Sequence, residues 1–598
     1  MRLHAERAGW SPVEIARATT APGQAVPRID FVSSAPRCPT CGSDEMGIVK
    51  TQRRTVITLA EGTFEAHETL KGCTREADCA PVGAEQLALL VPPRQRYGYD
   101  LIVHVGLQRY LAGKQRDEIR EQLSVHKGIE LSAGTVSNLC DRFLQMLETL
   151  HLLRAPYLRA ALDGAWSLHI DATSDQGKGG LAIGMDGFRG WVLMATRIPT
   201  EAGENIRPLV DDIVDLFGDP LATVRDMGDG MGHAVLPLRE RGIPDLICHQ
   251  HFLAAAGKKL LGSLHARLRT MLRGCRLRGD LRELLRQLRR YGVYRDGAFG
   301  PGRIRNELLA TVKWVLDGEG HKELPFPFSL HHRDFVGRCQ QALHKVDAWA
   351  PTPRTAPERR AVQRLGSMVS RIGRDRRFAS TLAEIDERYA AFGELRDVLR
   401  LSHNEMLRQH DGATQLDLAA LDHERLQVVE KEVDDYTARL RQRVRAIPDQ
   451  ARKHATESII LGYLDRERDR LFGHPVVRDD DGTVLAVVSR TNNPPEYFFG
   501  TGKRLMRRRL GRANLGRDMQ QQPAQAALAL NLRFPDYVRI LCGSLDNLPG
   551  AFAGLRLEEV REVTLERDHR DSKLQRLIQA LVKQERSNAE AEQPRIGA

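Results

Sequence analysis

Four of the nine cysteines stand in two pairs near the amino terminus. Cys38 and Cys41 form a C-x2-C pair with Gly42 directly after it, and Cys73 and Cys79 follow with five residues between them. Four thiolates complete the tetrahedral coordination that Zn²⁺ prefers. Because the protein would supply all four ligands, we expect a structural zinc with no open position. Two unrelated pairs of reduced cysteines are the alternative.

An aspartate also ends a segment with strand periodicity. Residues 166–171 alternate apolar and polar side chains, so Asp171 shares a strand face with Ser167 and His169. Two more strands are predicted at 181–185 and 190–198, with a hairpin turn at Asp186-Gly187 between them. An amphipathic helix at 206–217 and a fourth strand at 222–225 follow. Asp226 follows the fourth strand directly.

This β-β-β-α-β order, with acids on the first and fourth strands, is that of an RNase H-like domain. Strands one and four are neighbours in such a sheet, so Asp171 and Asp226 could share metal ions. Carboxylates are the hard ligands that Mg²⁺ selects, and two ions about 4 Å apart are what phosphodiester chemistry uses. Aspartates that only form turns are the alternative.

A third acid opens a predicted helix far downstream. We expect Asn493 to cap this helix and Pro494 and Pro495 to occupy its first turn. At 3.6 residues per turn, Glu496 shares a stripe with later basic residues, which suits a metal ligand beside a DNA backbone. The residues that we expect to contact DNA here are Lys503, Arg504, Arg507 and Arg508. In the alternative, Glu496 only complements the helix dipole.

Apolar spacing in residues 97–150 predicts three helices, 99–111, 115–123 and 133–147, as in a helix-turn-helix. Gly128 supplies a turn, and Ser132 is a natural N-cap for the third helix. The third helix carries hydrogen-bonding residues suited to base edges and phosphates: Thr135, Ser137, Asn138 and Arg142. An ordinary three-helix bundle is the alternative.

Three stretches together resemble the DDE transposases of bacterial insertion sequences, which belong to the RNase H-like (retroviral integrase) superfamily and are related to the Mutator-like transposases. The first runs from Asp226 to a helix with Ala234, the second is the C-x2-H pair Cys248 and His251, and the third is the Asn-rich run before Glu496. The two prolines before Glu496 depart from the family pattern.

The resemblance implies that Asp171, Asp226 and Glu496 are catalytic and hold Mg²⁺ or Mn²⁺. Cys248 and His251 would support the site; their alternative is a buried cysteine and a core histidine. Asp229 is the rival of Asp226, which we prefer because it directly ends its strand and lies eight positions before Ala234.

By the same resemblance, residues 38–147 would bind the terminal inverted repeats of a mobile element. The acids would serve cleavage of its ends and their joining to target DNA, in a homodimer or higher oligomer. Two rivals stay open: an inactive, domesticated DNA-binding regulator, and a nuclease without strand transfer.

The 598 residues carry a formal net charge of +11, which suggests a polyanionic partner or a mildly basic soluble protein. No apolar run approaches the length of a membrane span, and the first ten residues hold no apolar signal stretch. We therefore expect a cytoplasmic protein that is associated with the nucleoid when bound to DNA.

These elements predict an α+β, multidomain chain whose RNase H-like α/β core is interrupted by a large all-helical insertion. The insertion includes an arginine-dense segment, residues 267–290. The predicted parts are a leader (1–36), a zinc ribbon (37–82), a helix-turn-helix domain (97–150), a first core part (162–251), the insertion (252–485), a second core part (486–555) and a tail (556–598).

Overall fold

The computed structural model describes residues 26–592 except 77, 175–178, 291–302, 319–323, 350–354, 374, 402–421, 512–514, 516–517 and 519–520. The chain divides into two compact units, one formed by Met1–Asp245 with Asn492–Ala598 and the other by Leu246–Thr491. The predicted mixed α/β, multidomain architecture is confirmed.

The amino-terminal module is a three-stranded sheet with a short helix. Its central strand pairs parallel with the first strand and antiparallel with the second. Phe31 and Phe64, with ring centroids 6.2 Å apart, pack with Leu87 in the core of this module. The elements are β1 (Arg28–Val32), β2 (Met46–Thr58), β3 (Gly62–Cys73) and α1 (Glu85–Leu90).

The prediction of a leader through residue 36 was wrong for its last part. β1 adds to the sheet because Ile29 and Phe31 alternate with outward-facing residues and bury against β3. The β2–β3 hairpin pairs residues 46–58 with residues 62–73 over almost their full length. Residues 1–25 of the predicted leader lie outside the described residues.

Three helices follow, α2 (Tyr99–Tyr110), α3 (Arg116–Lys127) and α4 (Ala133–Leu162). Gly128 ends α3 with φ +63°, and Ser132 caps α4 by accepting the Thr135 N–H at 3.0 Å, both as predicted. Apolar residues of α3, of α4 and of the turn between them are buried together: Ile119, Leu123, Ile129, Val136 and Leu139.

The third helix runs 15 residues beyond its predicted end at Leu147. Its apolar stripe continues through Leu150, Leu158 and Leu162, which are buried. The boundary drawn at residue 150 was therefore wrong, because one continuous helix connects the trihelical part to the sheet that follows.

A five-stranded mixed sheet has the order β6-β5-β4-β7-β8. β5 pairs antiparallel with both β4 and β6, whereas β7 pairs parallel with β4, so the predicted adjacency of the first and fourth strands is confirmed. The elements are β4 (Leu168–Ser174), β5 (Gly180–Asp186), β6 (Val192–Ile198), α5 (Gly203–Phe217), β7 (Thr223–Arg225), α6 (Asp229–Ala234), α7 (Leu236–Glu240) and β8 (Asp245–Ile247).

Among its described residues, the second unit is helical apart from the end of β8 and one short hairpin, which the prediction of a helical insertion through residue 485 missed. The hairpin turns at Gly482, where φ is +82°. The elements are α8 (His249–Gly274), α9 (Leu277–Arg290), α10 (Arg303–Asp317), α11 (His331–Ala348), α12 (Ala356–Gly373), α13 (Arg376–Val398), α14 (His423–Ala446), α15 (Asp449–Arg452), α16 (Thr456–Leu471), β9 (Val476–Arg478) and β10 (Val484–Val487).

The arginine-dense segment forms the end of α8 and all of α9. Leucines bury one side of α9, and its arginines lie on the other side, with Arg278 over the Phe335 ring at 4.5 Å. The exposed members are Arg267, Arg269, Arg273, Arg276, Arg282, Arg286, Arg289 and Arg290.

The carboxyl-terminal part returns to the first unit as helices. The elements are α17 (Asn493–Leu510), a 3-10 helix (Ala524–Arg533), α18 (Pro535–Cys542), a short 3-10 turn (Leu545–Asn547), α19 (Leu548–Ala553) and α20 (Leu557–Glu592). Asn531 bonds both backbone groups of Val192 at 2.8 Å and so satisfies part of the edge of β6.

Among the described residues of 490–555 there is no strand, so this segment covers the sheet with helices. The tail helix begins at Leu557 and continues to Glu592, since glycine and proline are absent from residues 557–592. Arg567 of this helix pairs with Glu148 of α4 at 2.8 Å. Residues 593–598 lie outside the described part.

None of the described helices combines the length and the apolarity that a membrane crossing requires.

Candidate metal centres

The four grouped cysteines come together at one end of the β2–β3 hairpin. Cys38 and Cys41 lie in a tight turn closed by the Gly42 N–H, which donates to the Cys38 carbonyl at 2.9 Å. Gly42 has φ +75°, a conformation that glycine adopts at no steric cost. Cys73 is the last residue of β3, and Cys79 follows a short turn.

The sulfur geometry suits one tetrahedral ion. All four sulfur atoms lie within 4.8 Å of one another, and Cys41 Sγ is 3.6 Å from Cys73 Sγ. Zn–S bonds of about 2.3 Å in tetrahedral geometry imply sulfur separations of about 3.8 Å. The separation of 3.6 Å is far longer than a disulfide bond. This cluster can therefore hold a metal ion such as zinc.

The thiols of the cluster differ in acidity. The backbone N–H of Cys41, with that of Thr40, donates to Cys38 Sγ and lowers the pKa of Cys38 to about 6. Desolvation and the neighbouring sulfurs raise the pKa of Cys79 to about 12. Four sulfurs at this spacing resist carrying several negative charges, and a divalent cation would relieve that repulsion.

Asp171 and Asp226 lie at the same level of two neighbouring strands. The β4–β7 ladder pairs Leu168 with Thr223 and His169 with Val224. Two residues further along each chain are Asp171 and Asp226. Paired positions of adjacent strands project to the same face, about 4.8 Å apart. By this register the two aspartates lie at the same level and on the same face of the sheet, Asp171 in the middle of β4 and Asp226 directly after β7.

Asp226 is held by its own turn and by its neighbour. Its Oδ1 accepts the Gly228 N–H at 2.9 Å. Arg225 donates to the Asp226 carbonyl at 2.9 Å, and its guanidinium forms two bonds of 2.8 Å with the Asp245 carboxylate. Asp229, the rival, is exposed at the first position of a short helix. These contacts favour Asp226 as the residue fixed beside β4.

The Arg225–Asp245 pair was missed by the sequence interpretation. Both side chains are almost fully buried, with 3% and 4% of their surface exposed. Buried charges of this kind must be paired. In the sequence, Arg225 stands in an otherwise apolar strand beside a candidate metal ligand, and this position could have predicted a buried acidic partner.

Glu496 lies on the helix that packs against β4. Asn492, directly before α17, contacts β4 at His169 and Ile170, and Lys503 donates to Thr173 Oγ1 at 2.9 Å. His169, Asp171 and Thr173 alternate on one strand face, so α17 covers the Asp171 face. Glu496 lies between the two contacts and on the same stripe as Lys503, about two turns away. The helix therefore brings Glu496 to the side of the sheet that carries both aspartates.

The prediction that Asn493 caps the helix was wrong, since α17 begins at Asn493 and Asn492 is its N-cap. Pro494 and Pro495 then occupy the second and third helical positions. In any helix the backbone N–H groups at the first four positions have no intrahelical acceptor, so prolines at these two positions remove no helical hydrogen bond. The departure from the family pattern is thus compatible with the helix start.

The second half of α17 packs against the trihelical part. Arg509 lies over the Tyr110 ring at 5.3 Å, and Gln115 donates to the Arg508 carbonyl at 3.4 Å. Gly113 has φ +67°, and a Cβ there would lie 2.8 Å from Leu505 Cδ2. Of the four basic residues predicted to contact DNA, Arg504, Arg507 and Arg508 are exposed, whereas Lys503 is half-buried against β4.

The candidate DNA-contacting residues of α4 differ in accessibility. Asn138 is exposed, and Thr135 and Ser137 are half-buried at the helix start. Ser137 accepts a bond of 2.8 Å from Arg116 of α3. Arg142 is half-buried, and burial lowers its pKa. Asn138 is thus the member with the most open side chain.

Cys248 and His251 belong to the second unit, at the start of α8. Cys248 is the N-cap and is fully buried, and His251 is half-buried in the first turn. Their ligand atoms lie within 4.8 Å of each other. This proximity follows from C-x2-H spacing at a helix start.

No protein-family model matches this chain. A search of curated protein sequences likewise returned no significant match.

Proposed function

We propose that this protein is a DDE transposase with an RNase H-like core. One observation carries the proposal: Asp171 and Asp226 lie at the same level of two parallel strands, and α17 brings Glu496 to the same face. These acids are scattered over more than 300 positions of the chain. Three carboxylates on one sheet face would supply the ligands that two-metal phosphodiester chemistry needs.

The donor set fits Mg²⁺ or Mn²⁺, because carboxylate oxygens are the hard ligands that these ions prefer. Asp171, Asp226 and Glu496 would hold the ions, which supply activation of the attacking oxygen and stabilisation of the leaving one. Asp226 is held by Gly228 and by Arg225, and Glu496 is held by the contacts of α17 with β4. The exposed arginines of α17 would bind the phosphate backbone beside the acids.

The amino-terminal modules would select the DNA. The cysteine cluster, with zinc bound, would stabilise the β2–β3 hairpin, and the trihelical part presents the exposed Asn138 near the start of α4. We propose that they bind the terminal inverted repeats of the element as a helix-turn-helix domain with a zinc ribbon, while target DNA meets the basic end of α17. A homodimer or higher oligomer would hold both ends, associated with the nucleoid.

The test uses the full chain, a duplex carrying the repeats that flank its coding region, and a supercoiled target plasmid, with Mg²⁺ or Mn²⁺. A transposase nicks or cuts at the repeat end and joins the new 3′ end covalently to the plasmid. A scrambled duplex of equal length is the control. Binding without cleavage would identify a DNA-binding regulator, and cleavage without joining would identify a nuclease; either result rejects the proposal.

A further inference from the structure

Asn492, the N-cap residue of α17, does not use its side chain as helix-capping residues usually do. An N-cap side chain ordinarily accepts the N–H of the second or third helical residue. Here those residues are Pro494 and Pro495, which have no N–H. The amide of Asn492 makes no capping bond and reaches β4 instead.

Both ends of this buried amide are engaged on β4. Asn492 Nδ2 donates to the Ile170 carbonyl at 2.9 Å, and Asn492 Oδ1 is 3.2 Å from His169 Nδ1. Because Oδ1 can only accept, the proton of this second bond lies on His169 Nδ1. The Ile170 carbonyl is one residue past the last ladder pair of β4 with β7. Asn492 thus binds the residues directly before Asp171.

We propose that Asn492, held by His169, is a positioning residue that sets the distance between Glu496 and Asp171. This inference rests on the proposed function of the three acids. Asn492 is one helical turn before Glu496, and its two bonds end one and two residues before Asp171. The Lys503–Thr173 bond, which also joins α17 to β4, lies about two turns beyond Glu496, so the Asn492 bonds are the nearer of these contacts to Asp171.

Pro494 and Pro495 favour this use of the Asn492 side chain. They remove the N–H groups that would otherwise compete for the Asn492 side chain, and they fix φ at the helix start. Asn492 and its neighbours Asn493, Pro494 and Pro495 are all buried, so the start of α17 is enclosed on the strand side. The direction in which α17 leaves β4 is therefore set at its N-cap residue, Asn492.

The experiment compares N492A with N493A in the full chain. Asn493 is the matched control, because it is equally buried and its amide nitrogen has no hydrogen-bond partner among the residues that the structure describes. Mn²⁺ binding is measured by electron paramagnetic resonance without DNA, and cleavage of the repeat duplex is measured at saturating Mn²⁺. We expect N492A to bind Mn²⁺ at least tenfold more weakly and to lose roughly 10²-fold in cleavage rate, the effect of a displacement near 1 Å. N493A should match the wild type.

A second pair covers the case in which N492A does not fold. H169Q keeps an amide that can donate to Asn492, whereas H169L has similar volume and no donor. We expect H169Q to retain Mn²⁺ affinity and cleavage, and H169L to lose both. Wild-type Mn²⁺ affinity and cleavage in folded N492A, or in folded H169L, overturns the inference.

The two proposals fail in different ways. If the wild type binds Mn²⁺ and N492A weakens that binding but neither protein cleaves DNA, the transposase proposal fails and the positioning role stands. If the wild type cleaves and N492A cleaves equally, only the positioning role fails.

Discussion

Asp171 and Asp226 each lie two residues beyond the last ladder pair that joins their parallel strands, so the register places them at the same level of β4 and β7. Neighbouring strands of a sheet lie about 4.8 Å apart. Two carboxylates that approach each other over this spacing would repel unless a cation lay between them. Under the proposed function, a metal ion bound by both acids would remove this repulsion.

The first prediction concerns these acids and Glu496. Changing any one of them to its amide should abolish DNA cleavage and spare DNA binding, since each carboxylate is a separate metal ligand. Each amide variant should unfold at the same temperature as the metal-free wild type or a higher one, because one repulsive charge is gone. Free Mg²⁺ at about 100 times its Kd should stabilise the wild type by about 2.7 kcal/mol and the variants by less. Thermal unfolding with and without Mg²⁺ measures both effects.

Asp229→Asn separates the two candidate second acids. Asp229 is exposed and begins α6, so we expect this variant to keep cleavage and the Mg²⁺ response. A loss of cleavage in D229N together with an active D226N would move the second ligand to Asp229.

The second prediction concerns the cysteine cluster. Purified protein should carry one tightly bound zinc per chain, and Cys38→Ser should lose it and unfold the amino-terminal module. Structural zinc contributes roughly 10–16 kcal/mol of binding free energy at neutral pH, which so small a module cannot replace. Metal analysis and limited proteolysis measure the loss. The fold around β4–β8 should persist, because its core is separate from that of the β1–β3 sheet.

Cys275→Ser is the matched control for this substitution. Cys275 is half-buried and lies in the second unit, away from the grouped cysteines in sequence. This variant should keep one zinc per chain. Purified wild-type protein without zinc would contradict the assignment.

Local patterns were sufficient to predict several elements of this fold. The alternation before Asp171 predicted β4, and Gly128 and Ser132 correctly predicted the end of α3 and the start of α4. Cysteine spacing predicted a cluster whose four sulfurs do lie together. Each of these signals depends on a few neighbouring residues, and so it can be read without the tertiary structure.

Long-range relations could not be predicted in the same way. The capping position of α17 was misassigned by one residue, because the choice between Asn492 and Asn493 depends on contacts with β4 more than 300 positions away. The Arg225–Asp245 pair and the bonds of Asn531 with Val192 likewise join distant segments. The parallel addition of β1 was missed because a short strand before a proline has no periodicity long enough to detect.

The third prediction is a pH dependence from a buried histidine. His151 Nε2 donates to the Leu193 carbonyl at 2.9 Å, Tyr537 donates to Nδ1 at 2.7 Å, and burial lowers the pKa of His151 to about 4. Between pH 6.5 and 4 the unfolded chain therefore binds more protons than the folded one, and the free energy of unfolding rises with pH. Acidification across this window should cost about 3 kcal/mol from this residue alone.

Unfolding by urea at pH 7, 5.5 and 4.5 measures that slope. His151→Gln retains a donor and an acceptor but does not titrate, so its stability should fall less steeply on acidification while lying below the wild type at pH 7. His126, which is exposed on α3, provides the matched control, and H126Q should follow the wild-type slope. Parallel slopes for H151Q and the wild type would show that His151 is not the titrating group.

The last prediction separates base recognition from phosphate binding, and it uses the full chain with Asp171→Asn to prevent cleavage. Asn138 is exposed at the start of α4, so Asn138→Ala should weaken binding to the repeat duplex by about 1–3 kcal/mol and leave binding to a scrambled duplex nearly unchanged. Arg508 is exposed on α17, so Arg508→Ala should weaken both complexes equally and reduce the slope of log K against log salt by about 1. Arg142→Ala should act mainly on stability, because Arg142 is half-buried. Equal weakening of both duplexes by Asn138→Ala would show that α4 reads no base, and the trihelical part would then be a structural bundle.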